Sequence, residues 1–173
     1  RETRQVKVIE YDMSGFLKSC VARYLELAKR NESTLRKAPT PFIEESKEAA
    51  EALEQGKVSG ELQPIAARVL MKILYAARMA RYDLLRPTCY LATRITKWDD
   101  WCDRALHRLV SYINTTLDLR LMAWVGNPIS EWELVVYSDA DLAGDLITSK
   151  STTRVFVCIR ASHTFIPLQG MSQ

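Results

Sequence analysis

Apolar residues recur at helical spacing through much of the chain, whereas the last third alternates apolar and polar positions. Residues 6–9 form a short extended run. Ser14 then stands where it can cap a helix whose apolar side chains return every three or four positions. Residues 33–60 combine Pro and Gly with an acidic run, which is typical of a loop or linker, with a helical turn expected near 49–53. The start of the chain is therefore predicted to be strand, helix and linker.

Three further helices are predicted in the middle of the chain. Pro64 suits the first turn of a helix over residues 64–81, and the apolar register resumes over 84–96. Asp99 or Asp100 can cap the third helix. Its apolar positions share one face and comprise Trp101, Ala105, Leu106, Leu109, Tyr112 and Ile113.

The period changes to that of strands near residue 119. Extended runs are separated by turn-forming residues such as Gly126-Asn127-Pro128, Gly144-Asp145 and Ser162-His163. The pattern predicts an antiparallel sheet after a helical region, which is an α+β fold. The predicted strands cover residues 119–125, 134–137, 155–159 and 164–168.

Composition indicates a globular, intracellular protein. The chain has 173 residues, of which 47% are hydrophobic, enough to bury a core. No apolar run approaches the roughly 20 residues needed to span a bilayer, and no signal peptide is evident, so we expect a soluble protein in the cytoplasm or nucleus and no membrane partner. The cysteines are widely spaced, without a zinc-binding pattern, and are expected to be reduced: Cys20, Cys89, Cys102 and Cys158.

Charge is distributed unevenly along the chain. The net charge is only +3, but an acidic run at 44–54 precedes a block at 64–120 that holds ten Lys or Arg and five Asp. Basic side chains on exposed helix faces can follow a phosphate backbone, although a solvated helical surface has the same composition. The candidate nucleic-acid contacts are Arg68, Lys72, Arg78, Arg81, Arg94, Lys97, Arg104, Arg108 and, in a polar segment that could equally be a hairpin turn, Lys150.

Two aspartates suggest a metal site near the predicted sheet. Asp139 and Asp141 occupy alternate positions directly after the predicted strand 134–137. Carboxylate oxygens are hard ligands that suit Mg²⁺. Aspartates also end strands by forming turns, and the spacing alone favours the turn.

Aromatic and histidine residues leave two interpretations open. Trp98, Trp101 and Trp124 could stack on bases, but aromatic residues at amphipathic spacing usually belong to a core, and the core interpretation is favoured for Trp101. His107 and His163 have no recognisable catalytic partners in the sequence, so surface or packing roles are expected for both.

Residues 137–145, YSDADLAGD, resemble the YSDADWAGD segment of copia-type retrotransposons, and the following SKST at 149–152 matches that family's next element. Upstream, LYAARMARYD at 74–83 resembles the family's LxYLAxxTRPD segment. Residues 98–116 resemble its W-(x)n-AxKRVLRYLxGT helix. Residues 11–27 and the Pro-Thr-Pro at 39–41 are similar to the thumb segment that follows the polymerase palm.

The resemblance implies a piece of a retrotransposon Pol polyprotein. Residues 1–60 would be the end of the reverse transcriptase, 61–118 a basic three-helix thumb or connection region, and 119–173 the first antiparallel strands of an RNase H-like domain. The parent would be an RNA-directed DNA polymerase with ribonuclease H activity, and its partner an RNA–DNA hybrid or template–primer.

The resemblance carries over one catalytic residue. Asp139 matches the first RNase H carboxylate and would bind Mg²⁺ in the parent. The other carboxylates of that site would lie beyond Gln173, and the family's YVDD turn does not occur in the sequence. The isolated chain is therefore expected to be inactive and to bind no metal tightly.

An alternative is a non-catalytic nucleic-acid-binding or protein-interaction module derived from such an element. Strands without covering helices would also leave sheet edges exposed, so self-association or a protein partner is expected.

Overall fold

Three of the helices lie in the middle of the chain, and an antiparallel sheet joins residues near its start to residues near its end. The computed structural model describes residues 5–43, 59–141 and 152–172. Within these ranges the chain forms four α-helices and a five-stranded sheet, so the predicted α+β class is confirmed. The helices are α1 (Ser14–Ala28), α2 (Gln63–Met79), α3 (Leu85–Thr93) and α4 (Asp100–Thr115). The strands are β1 (Lys7–Tyr11), β2 (Leu121–Val125), β3 (Glu133–Asp141), β4 (Thr152–Ala161) and β5 (Thr164–Ser172).

Two of the four described helices, α2 and α4, begin with the residues that capping chemistry favours. The Asp99 carboxylate accepts a hydrogen bond from the backbone N–H of Cys102 at 2.9 Å, which confirms the predicted cap of α4. Pro64 lies in the first turn of α2, as predicted. The cap predicted for α1 is wrong, because Ser14 is already helical and its backbone N–H donates to Asp12 Oδ1 at 2.7 Å. The helical turn predicted at 49–53 lies outside the described residues.

One hydrophobic core draws side chains from all four helices. Trp101 is 4% exposed, which confirms its predicted core position, and Trp98 is equally buried. Residues that are fully buried contribute most to such a core, because each removes its apolar surface from water. The largest of them are Leu17 and Tyr24 of α1, Leu70 and Ile73 of α2, Leu91 of α3, and Leu106, Leu109 and Ile113 of α4.

The sheet has the strand order β1-β2-β5-β4-β3, and every neighbouring pair is antiparallel. β1 pairs with β2 along its whole length, from Lys7 opposite Val125 to Tyr11 opposite Leu121. The predicted first segment therefore contributes a strand to the sheet and a helix to the core. β3, β4 and β5 follow one another as two hairpins, with a register shift at Val157 and Cys158.

The sheet meets the helices around Gly170. A Cβ atom built at Gly170 would lie 3.0 Å from the Tyr82 ring and 3.1 Å from the Leu85 side chain. Tyr82 also packs against Phe156 of β4, with ring centroids 6.0 Å apart. Glycine therefore lets β5 approach the start of α3 closely, and this contact fixes which face of the sheet lies towards the helices.

Candidate nucleic-acid interface

A cleft with mostly basic walls lies between α4 and the segment that follows α1. Its volume is about 380 Å³, within the usual range for small-ligand sites. We call it the basic cleft. It is lined by Arg30, Thr34, Arg36, Lys37, Ala38, Asp103, Arg104, His107, Arg108 and Ser111.

The end of α1 turns the chain towards the basic cleft. Lys29 adopts a left-handed conformation with φ of 52°, and the backbone N–H of Arg30 donates to Leu25 O at 3.0 Å. These features end the helix in the usual way and redirect the chain. A short helical turn, Glu32–Thr34, follows and brings the next basic residues against α4.

His107 ties the two walls of the basic cleft together. Its Nε2 lies 3.0 Å from Thr34 O, a group that can only accept, so this nitrogen carries the proton. Its Nδ1 then accepts from the Tyr24 hydroxyl at 2.8 Å, and Arg30 Nη1 donates towards the same nitrogen at 3.2 Å. Tyr24 is fully buried, and that burial raises its pKa to about 12. His107, for which a surface or packing role was predicted, thus holds the two walls of the basic cleft together.

Arg108 makes a second connection between the walls. Its Nε donates to Thr40 O at 3.0 Å, and its Nη2 donates to Thr40 Oγ1 at 2.9 Å. The segment after α1 is therefore fixed to α4 at two points. A cleft whose walls are already held in place loses less conformational entropy when a ligand binds.

Positive charge dominates the basic cleft. The carboxylate of Asp103 accepts hydrogen bonds from the backbone N–H groups of Glu61 and Leu62 at 2.7 and 3.1 Å and from Trp98 Nε1 at 2.7 Å. The carboxylate of Asp103, the acidic residue that lines the basic cleft, is thus hydrogen-bonded to groups of the protein itself. The basic lining residues are Arg30, Arg36, Lys37, Arg104 and Arg108, of which Arg36, Lys37 and Arg104 are exposed. Such a concentration of cations suits an anionic ligand.

The basic positions proposed from the sequence do not form one continuous surface. Arg104 and Arg108 both line the basic cleft, one helical turn apart on α4. The remaining described positions are spread over α2 and the region around α3. Arg68, Arg78 and Lys97 are exposed there, and Lys72 is half-buried, with its Nζ donating to Ser19 O at 3.2 Å. Lys150 lies outside the described residues.

Two of the proposed contacts are engaged inside the fold. Arg81 is 3% exposed, and its guanidinium donates to both Asp83 oxygens at 2.9 and 2.8 Å and to Thr116 O at 2.9 Å. Arg94 packs over the Tyr90 and Trp101 rings at 5.4 and 5.5 Å. Arg81 therefore joins the end of α2 to the end of α4, and Arg94 covers the aromatic edge of the core.

Asp139 lies inside a strand. The prediction that it follows the strand is wrong, because β3 runs to Asp141 and pairs with β4 over that whole length. The Asp139 side chain is 66% exposed, and its Oδ2 lies 3.4 Å from Arg154 Nη1. No group of three or more metal-binding His, Cys, Asp or Glu side chains is found among the described residues. An exposed carboxylate beside a guanidinium does not by itself make a Mg²⁺ site.

Sequence reasoning missed the first wall of the basic cleft. Arg30, Arg36 and Lys37 lie in and just before a segment with the composition of a linker, and their pairing with α4 depends on contacts 68 or more residues apart, such as that between Thr40 and Arg108. The available signal was the recurrence of basic residues directly after α1. It does not show which helix they face.

None of the helices in the described ranges is long and apolar enough to cross a membrane. Comparison of the chain with protein-family models, with curated proteins and with solved structures finds no match. The geometry of the basic cleft and the sequence motifs therefore carry the functional argument.

Proposed function

We propose that this chain is a segment of a copia-type retrotransposon Pol polyprotein and that its basic cleft holds the phosphate backbone of an RNA–DNA hybrid or template–primer. The observation that carries the proposal is the convergence of five cationic side chains on one cleft. Its lining carboxylate, Asp103, accepts from three protein donors, and outside the lining Asp100 pairs with Arg104 at 3.3 Å. Converging guanidinium and ammonium groups suit a phosphate because their hydrogen bonds to it are charge-assisted.

The origin of the segment is supported by the motif series and by the order of the elements. A helical region is followed by the hairpins β3–β4 and β4–β5, which is the arrangement that the resemblance to a thumb region followed by an RNase H-like sheet implies. In the parent polyprotein, Asp139 would supply one carboxylate ligand for Mg²⁺. The further carboxylates would have to come from residues beyond those described, so no catalytic step is assigned to this segment.

A hybrid-binding titration tests the cleft. A fluorescently labelled RNA–DNA hybrid is titrated with the full chain at several salt concentrations, and affinity is read from fluorescence polarisation. Affinity should fall steeply with salt, because each neutralised phosphate releases counterions. The double variant Arg36→Gln with Lys37→Gln should bind more weakly, and its plot of log affinity against log salt should be shallower by roughly one to two units.

A matched double variant removes the same charge elsewhere. Lys7 and Lys18 are exposed and do not line the basic cleft. The variant Lys7→Gln with Lys18→Gln should keep the affinity and salt dependence of the unmodified chain. Equal losses in the two double variants would show that net charge and not the cleft governs binding, and binding that does not change with salt would exclude phosphate contacts altogether.

The polyprotein origin has a separate test in the reading frame around this segment. An aspartate pair is expected upstream, and a Glu-bearing helix followed by two aspartates is expected downstream. If the flanking frame encodes neither, a non-catalytic binding module becomes the better description, whereas the result of the hybrid titration would stand by itself.

A further inference from the structure

Four aromatic rings form a continuous row across the sheet, away from the basic cleft. Trp124 of β2 lies next to Phe165 of β5 with ring centroids 5.0 Å apart. Phe165 is 6.3 Å from Phe156 of β4, and Phe156 is 6.2 Å from Tyr137 of β3. We call these four residues the aromatic row.

Strand register places all four rings on the same face of the sheet. Trp124 is directly opposite Phe165, and Tyr137 is directly opposite Phe156. Phe165 is opposite Arg160, which is four residues from Phe156 along β4 and so points to the same side. All four rings of the aromatic row therefore lie on one face of the sheet, and this is the face that packs against the helices at Gly170.

The helices cover only part of this face. Tyr82 packs against Phe156 in the middle of the aromatic row, while both ends remain accessible. Trp124 is 38% exposed and Tyr137 is 46% exposed. Large aromatic side chains normally bury more of their surface, so two accessible rings at the ends of one row indicate a surface for a ligand.

Cationic groups accompany the exposed end of the aromatic row. Arg160 is exposed, and its Nη1 donates to the Tyr137 hydroxyl at 3.0 Å. The nearby carboxylate of Asp139 has Arg154 as its ion-pair partner at 3.4 Å. A guanidinium at the edge of an exposed ring can contact a phosphate while a base lies on the ring.

We propose that the two accessible ends of the aromatic row, Trp124 and Tyr137, stack unpaired bases of a single-stranded nucleic acid, with Arg160 contacting its backbone. Base stacking on sheet aromatics is a recurrent way of binding single strands, because every base has a flat face and the bases of a duplex are not accessible to such rings. An apolar peptide would fit the same area but would not need ring faces. This site does not rest on the basic cleft, whose proposed ligand is the backbone of a paired hybrid.

Quenching of tryptophan fluorescence tests the proposal on the full chain. Oligothymidylate should quench Trp124, and a duplex of the same length should quench it much less. Trp98 and Trp101 are 4% exposed and Trp132 is half-buried, so the variant Trp124→Phe is needed to identify the part of the signal that comes from Trp124. Binding by that variant is followed by fluorescence polarisation of a labelled oligonucleotide, since the replacement phenyl ring still offers a stacking face.

Paired substitutions separate stacking from apolar contact. Tyr137→Phe keeps the ring and should retain most of the affinity for the single strand. Tyr137→Leu keeps an apolar side chain without a ring and should weaken binding about 5- to 160-fold, the range expected when one stacked base loses its partner. Tyr75→Leu removes a ring that is 55% exposed on α2 and should change nothing.

Two results would overturn the proposal: absence of Trp124 quenching by single strands at low salt, or equal affinity of the Tyr137→Leu and Tyr137→Phe variants. The double variant Arg36→Gln with Lys37→Gln keeps the two sites distinguishable. Trp124 quenching by a short oligothymidylate should persist in it even where hybrid binding is lost.

Discussion

Arginine residues have different structural roles at different positions in this protein. Arg81 and Arg104 are both arginines at positions that suit an exposed basic helix. Arg81 is nonetheless buried among Asp83 and Thr116, whereas Arg104 is exposed at the basic cleft and pairs with Asp100 at 3.3 Å. The difference arises because Arg81 follows the end of α2, where the chain turns into the core. Burial of an arginine stabilises a fold only when its donors are satisfied, as they are at Arg81.

Alkaline pH should destabilise the protein through groups that are buried in the neutral form. Burial raises the pKa of Tyr24 to about 12, of Cys102 to about 12 and of Cys20 to about 11. Because these values exceed those of the unfolded chain, their stabilising contribution is complete below about pH 8 and is lost progressively as the pH rises towards 11–12. Urea unfolding at a series of pH values should show this decline.

The variant Tyr24→Phe separates the phenol from the thiols. At pH 7 it should be less stable by about 1 kcal/mol, because the hydrogen bond to His107 is lost. Between pH 10 and 12 its stability should decline less steeply than that of the unmodified chain. Tyr75→Phe, which removes the hydroxyl of an exposed ring, is the control. A parallel decline in Tyr24→Phe and the unmodified chain would contradict the assignment.

The helices and strands match their predicted bounds most closely where the residues of the element itself determine its structure. The three middle helices begin within a few residues of the predicted positions, because apolar spacing and capping groups are local features. β3 exceeds the predicted 134–137 at its far end and includes Ser138, Asp139 and Ala140, which have weak strand propensity. Pairing with β4 extends the strand through these residues, and pairing is not a local property.

Substitutions at Gly60 and Gly15 form a matched test of the contact between α2 and α4. A Cβ atom at Gly60 would overlap the backbone oxygen of Asp99 and lie 2.6 Å from the Trp98 ring. Gly60→Ala should therefore lower the free energy of unfolding by about 1–3 kcal/mol, because the start of α2 packs directly on the start of α4. Gly15→Ala meets nothing within 4 Å in the first turn of α1 and should raise it by about 0.5–1 kcal/mol.

Thermal and urea unfolding of the two glycine variants measure the contrast. Far-ultraviolet circular dichroism checks that both retain the helical content of the unmodified chain. Equal effects of the two substitutions would mean that helix propensity and not the contact between α2 and α4 determines the outcome at Gly60.

At the scale of the whole molecule, the fold brings together basic residues that are distant in sequence and keeps Asp139 of β3 apart from them. The basic cleft joins the segment after α1 to α4, and Asp139 lies in the sheet beside Arg154. The surface that we propose to bind nucleic acid and the carboxylate that would serve hydrolysis in the parent polyprotein thus lie in separate places. Catalysis requires further ligands around that carboxylate.

The 173-residue chain should not hydrolyse the RNA strand of a hybrid in the presence of Mg²⁺. No group of three or more metal-binding side chains occurs within the described part of the chain, and Asp139 is 66% exposed. Gel analysis of a hybrid labelled in its RNA strand should give the same result for the unmodified chain and for Asp139→Asn. Cleavage that depends on Mg²⁺ and disappears in Asp139→Asn would contradict this prediction.

The sequence by itself determined the α+β class, the order of helices and strands, the caps at Pro64 and Asp99, and the core position of Trp101, because periodicity and capping depend on residues close together in the chain. Only the tertiary structure decided that β1 forms the edge of the sheet opposite β3 and that four aromatic rings lie on one face of that sheet. The tertiary structure also decided that Arg81 is buried and that His107 holds the walls of the basic cleft. These features depend on pairings between distant segments. Burial and register set those pairings, and a local pattern contains neither.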